Sequence, residues 1–141
     1  MADRGDPDVR PEARIPRPHP VLDTSPVTFS FKFLDVTDNE KFVFGHCTMD
    51  FFEHLLVELQ RLSRGTVMDF CEYDNERHSH AIIFENTQEP QGFANLSEQV
   101  EPEEYWQFGI RPDRPWRVHG FFIDSVFYVV WLDPKHNLAA G

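Results

Sequence analysis

His78-Ser79-His80 followed by Glu85 gives the spacing H-x-H-x4-E. Alternate residues of a strand share a face, so two imidazoles and a carboxylate at this spacing can meet at one metal ion, with His119 or His136 as a further ligand. A second cluster is basic and aromatic: Arg111, Arg114 and Arg117 gather around a turn, with Trp106, Trp116 and Trp131 near them in sequence. Guanidinium groups beside indoles hold phosphates and stack bases. The competing reading is that these arginines pair with local acids and shield sheet edges. Nucleophilic hydrolysis has less to draw on. Neither G-x-S-x-G nor a glycine-rich phosphate loop occurs, and Cys47 and Cys71 lie in apolar contexts that raise a thiol's pKa.

These groups need a scaffold, and the hydrophobic pattern supplies one. Phe29, Phe31 and Phe33 alternate with Thr28, Ser30 and Lys32, which predicts a half-buried strand over 27–33, and Lys41 to Phe44 extends the pairing before Gly45. Thr48 is a natural N-cap. Phe51, Phe52, Leu55, Leu56, Leu59 and Leu62 follow at spacings of three and four, and Arg64-Gly65 ends the stripe, so a core-facing helix is expected here. Thr66 and Asp69 have capping-box spacing and open a shorter helix through Glu72. Ala81 to Phe84 reads as a strand. Three more are expected at 105–110, 116–123 and 126–132, joined by short loops into an antiparallel meander, with the nearly all-apolar last strand placed centrally. The fold class is α+β: an antiparallel sheet of about four to five strands with one or two helices on one face.

Length and charge bound the rest. The chain has 141 residues, enough for one domain. Residues 1–26 hold six of the 11 prolines among alternating Asp and Arg, which predicts a disordered proline-rich tail before a single domain over 27–141. A net charge of −11 disfavours a general grip on nucleic acid or an anionic membrane. The charge is uneven: residues 69–104 carry ten acids and one base, whereas 105–141 are slightly basic. No apolar run is long enough to span a membrane and the N-terminus lacks a signal-peptide stretch, so a cytoplasmic location with reduced thiols is expected. The acidic region suits a basic protein partner.

The H-x-H-x4-E spacing with Gly92 resembles half of the cupin metal motif, but Glu72 stands where that motif has a glycine and its second half is absent, which leaves His78, His80 and Glu85 a weak metal candidate. The string WRVHGFFIDSVFYVVWLDPKHNL, with HAIIFENTQEPQGF and YWQF upstream, resembles a family of small uncharacterised bacterial proteins carried in variable genome regions, over roughly residues 28–138. Helices followed by an antiparallel meander and a histidine-bearing tail are more remotely similar to the RelE/ParE/HigB toxin superfamily. That resemblance implies a RelE-like fold and an endoribonuclease acting on mRNA without a cofactor. It also implies an antitoxin or other protein partner. Arg117 would bind the scissile phosphate, His136 would serve as general acid or base, Lys135 would stabilise phosphoryl charge, and His119 would assist. Arg111, Arg114 and Trp116 would contact RNA. The alternative is a non-catalytic module whose acidic surface docks a basic partner.

Overall fold

A computed structural model describes residues 24–36, 39–42, 44–72, 79–93, 96 and 100–138. The tail expected over residues 1–26 lies outside them except for its last three residues. Of these, Ser25 accepts from the Val67 amide at 2.9 Å and Pro26 bridges Thr66. Among the described residues five strands form one mixed sheet: β1 (Thr28–Ser30), β2 (His80–Ala81), β3 (Glu104–Gly109), β4 (Arg117–Ile123) and β5 (Val126–Asp133), in the order β1-β5-β4-β3-β2. The last three make the expected meander, and β5 is an inner strand buried almost throughout. The sheet departs from the antiparallel expectation at one edge, where β1 runs parallel to β5.

Helix α1 (Met49–Ser63) starts where the pattern places it, with Thr48 Oγ1 accepting from the Phe51 amide at 3.1 Å. Helix α2 (Val67–Cys71) carries the full capping box, Asp69 amide to Thr66 Oγ1 and Thr66 amide to Asp69 Oδ2. Both pack on the same sheet face. Phe51, Leu55, Leu59 and Leu62 of α1 and Phe70 of α2 meet Phe108, Val118, Phe122 and Phe127 of the strands. The stripe of α1 is narrower than expected: Leu56 is exposed and Phe52 only half-buried, while Glu58, outside that stripe, is buried and bonded to Arg61. The opposite face is covered by irregular chain, with Phe42, Phe84, Phe93 and Leu138 closing over Phe121, Val130 and Trp131. No helix among the described residues is long and apolar enough to cross a membrane.

Two expected strands are corrected. The first stops at Ser30, whose hydroxyl accepts from the Lys32 amide and turns the chain. Its three phenylalanines therefore part: Phe29 joins the helix-side core, Phe33 the opposite one, and Phe31 is exposed. Phe42 is buried in a turn and Phe44–His46 is a 3-10 helix, so no strand pairing continues there; Val43 lies outside the described residues. The strand expected over Ala81–Phe84 is only His80–Ala81. Phe84–Asn86 forms a 3-10 turn closed by the Thr87 amide and hydroxyl, both donating to the Phe84 carbonyl.

A bulge between β4 and β5 decides what the second face can hold. His119 pairs with Trp131 and Gly120 with Val129, so Val130 is an extra residue on β5. The Val130 carbonyl accepts from the Asp35 amide at 2.9 Å, and the Asp35 carboxylate accepts from the Trp131 indole at 3.0 Å. Beyond the bulge the side-chain alternation of β5 is reversed. Trp131 and Asp133 consequently face the same way as His119.

Candidate active site beside a buried histidine-aspartate pair

His119 and Asp133 are fully buried, and His119 Nε2 donates to Asp133 Oδ2 at 2.9 Å. Asp133 also takes two backbone donors: the Asn137 amide on Oδ1 at 2.7 Å and the Leu138 amide on Oδ2 at 3.1 Å. Burial by itself would raise the Asp133 carboxyl, but the His119 hydrogen bond and those two amides outweigh it and hold the group below its ordinary value. Burial pushes the His119 imidazole down, against the pull of Asp133, and the charges of Arg117 and His80 act in the same direction as burial. The pair is therefore a carboxylate beside a neutral imidazole protonated on Nε2. Its Nδ1 lone pair is buried with no hydrogen-bond partner.

One strand further along, Gln107 of β3 stands opposite His119 of β4, and His80 of β2 stands opposite Gln107. This row ends in a cavity of about 360 Å³ whose wall includes His80, Gln107, Asn86, Thr87, His136 and Leu138. The volume lies within the range of about 300–1,000 Å³ common for small-molecule sites. His136 reaches the cavity from the turn after β5, with φ at +58°. His80 and His136 thus share one concave surface, with a buried histidine-aspartate pair next to it.

The other expected residues are distributed differently. Arg117 is buried, and its Nη1 donates to the Arg114 and Trp116 carbonyls at 3.0 and 3.1 Å. Burial lowers its pKa while Asp133 opposes that, and its Nε has no hydrogen-bond partner. Lys135 lines a separate cavity of about 310 Å³ with Glu40, Lys41 and His46. Arg111 makes two hydrogen bonds to Asp113, at 2.9 and 3.0 Å, and a contact with His54 Nε2 of α1 at 3.2 Å. Arg114 lies over the Trp116 ring at 5.0 Å, and that ring packs on Phe51 in the helix-side core. The basic and aromatic cluster therefore makes no open indole platform: Trp106, Trp116 and Trp131 are all buried.

Of the metal candidates, His78 lies outside the described residues, while His80 is on β2 and Glu85 on the 3-10 turn. Among the described residues no three His, Cys, Asp or Glu side chains are placed to hold a metal ion, so neither His119 nor His136 completes such a set. Cys47 and Cys71 sit half-buried against the helix-side core as thiols. Burial, with Asp133 adding to it, pushes Cys47 up to about 11.

Two members of the site were not singled out from the sequence, Asp133 and Gln107. A signal for Asp133 exists: Asp-Pro directly after an apolar strand is a turn initiator whose carboxylate captures amides further on. Gln107 carries no such mark and is found only through strand register. No protein-family model, curated protein or solved structure matches the chain.

Proposed function

We propose that the protein is a cytoplasmic RelE-like toxin or defence-associated protein that cleaves RNA, with His136 and His80 as its acid-base pair. The observation that carries this reading is the shared cavity, which His80, Gln107 and His136 all line. An imidazole titrates near neutral pH, so one can take the proton from a ribose 2′-hydroxyl while the other gives one to the departing 5′-oxygen. The 2′-oxygen then attacks phosphorus, the P–O5′ bond breaks, and the products are a 2′,3′-cyclic phosphate and a 5′-hydroxyl. No cofactor takes part. Lys135, in the separate second cavity, offers charge to another phosphate of the RNA. Arg117 and His119 support the fold beneath the site rather than touching substrate. On a chain of net charge −11 the RNA contact is confined to this cavity and its surroundings, and an antitoxin or other protein partner is the natural complement.

The test is a cell-free translation assay titrated with wild type, His136→Ala and His80→Ala, with mapping of RNA ends. Wild type inhibits, and each variant loses about a hundredfold or more, the lower range for acid-base catalysis. Absence of inhibition by wild type, or full activity in both variants, overturns the reading. The second reading, a non-catalytic protein-binding module, is favoured by Met49, Leu56 and Val57, which α1 leaves exposed. It predicts that a captured partner is retained by His136→Ala and lost on Leu56→Glu.

A further inference from the structure

We infer that Asp133 is a positioning residue that holds His136 in the cavity by clamping the turn that carries it. This inference rests on the reading of His136 as an acid-base group. The residues after His136 are Asn137 and Leu138, and their two amides are the ones that Asp133 captures, one on each oxygen. His136 itself has φ at +58°, a backbone conformation that residues with a side chain rarely adopt unless their surroundings hold them there. The clamp supplies that hold from below. His119 anchors the carboxylate through Oδ2, and both side chains are fully buried, so the clamp is fixed to the sheet. The far end of the turn is pinned as well: Leu138 is buried, and its carbonyl accepts from the Gln88 amide at 3.0 Å.

The bulge completes the device. Only because Val130 is an extra residue does Asp133 face inward, where the amides of 137 and 138 can reach it. The sequence from the strand to the cavity is thus bulge, carboxylate, turn, imidazole.

Asp133→Asn tests it directly. Both carboxylate oxygens accept from N–H groups, and an amide offers only one oxygen, so one side of the clamp must open. Hydrogen exchange by NMR should show one of the two captured amides, Asn137 or Leu138, exchanging at least tenfold faster, and the His136 ring resonances should move, while amides of α1 stay protected. In RNA cleavage, kcat should fall at least tenfold with KM within twofold. Asn137→Pro is the second variant, which removes one captured N–H at a partly exposed position and disfavours the helical backbone regions for His136, leaving the His119–Asp133 bond in place. It should move the same ring resonances. Unchanged His136 resonances in Asp133→Asn overturn the inference, and if Asp133→Asn does not fold, unchanged His136 resonances in Asn137→Pro overturn it. Failure of wild type to cleave RNA removes the proposed function, whereas the exchange and ring-shift results still decide what Asp133 does.

Discussion

Gly120→Ala should be among the most damaging single-methyl changes in this protein, and its size can be worked from the bulge. A Cβ at this position would stand 2.1 Å from the Tyr128 carbonyl oxygen and 2.7 and 2.8 Å from two Phe127 ring atoms. Neither neighbour can yield. The carbonyl belongs to the backbone of an inner strand, and the Phe127 ring is fully buried against Phe29, Phe108 and Phe122. Overpacking of a filled core costs about 1–3 kcal/mol, and with two unyielding contacts the upper end applies. At about 4 °C per kcal/mol for a domain of this size, the melting temperature should fall by about 12 °C. Gly45→Ala is the control. It meets nothing within 4 Å and should change stability by no more than about 0.5 kcal/mol. Urea unfolding of the three proteins, followed by tryptophan fluorescence, measures both differences. Equal stability of Gly120→Ala and Gly45→Ala would refute the reasoning and with it the bulge geometry.

Three further outcomes are expected. Phe70 is fully buried and its ring meets Trp106, Phe108, Phe122 and Phe127 at centroid distances of 5.1–6.1 Å, so Phe70→Ala should cost about 3–5 kcal/mol in chemical denaturation. A loss below about 1 kcal/mol would mean that α2 is not pinned to the sheet by this ring. Acid should destabilise the fold in two stages. The lowered pKa of His119 means that the unfolded chain binds a proton below about 6.5 that the folded chain refuses, and the lowered Asp133 adds a second loss as pH falls below 3.8. Urea midpoints should therefore drop between about pH 7.5 and 5, and His119→Gln should flatten that interval; an equal drop in the variant would assign it elsewhere. Finally, with its thiol pushed up to about 11, Cys47 should resist iodoacetamide in the native protein at about pH 8 and react after denaturation. Rapid native labelling, located by peptide mass, would contradict that.

The parts of this fold that were legible in the sequence are those written in local chemistry. Thr48 with Phe51, Leu55, Leu59 and Leu62 marks α1, Thr66 with Asp69 marks α2, and the short Asp124-Ser125 turn joins two apolar runs into a hairpin. The parts that were not legible depend on pairings far along the chain. Nothing near Phe29 announces that β1 runs parallel to β5, and a serine hydroxyl cuts that strand where the alternation of phenylalanines continues. The site shows the same division. His136 and His119 could be noticed as imidazoles near the histidine-bearing tail; His136 lines the cavity, whereas His119 is fully buried behind Gln107. Arg117 reads as a strand cation aimed at a ligand, yet its guanidinium turns back on the carbonyls of its own chain, and Lys135 opens into a different cavity from its neighbour His136. A single extra residue at Val130 inverts which side chains share a face, and a period-two pattern cannot reveal that.

The parallel pairing of β1 with β5 also constrains how the chain reaches its native state. Thr28, Phe29 and Ser30 find their partners at Val126, Phe127 and Tyr128, and Asp35 bonds the indole of Trp131. A ribosome has to complete nearly the whole domain before these early residues have anything to pair with. Until then Phe29 and Phe33 are exposed to solvent and to other nascent chains. Such long-range closure slows folding, because β1 cannot pair until Val126–Asp133 has been made. Shortening the chain ahead of Val126 would therefore leave an aggregation-prone fragment with helices but no closed sheet, in place of a smaller folded unit.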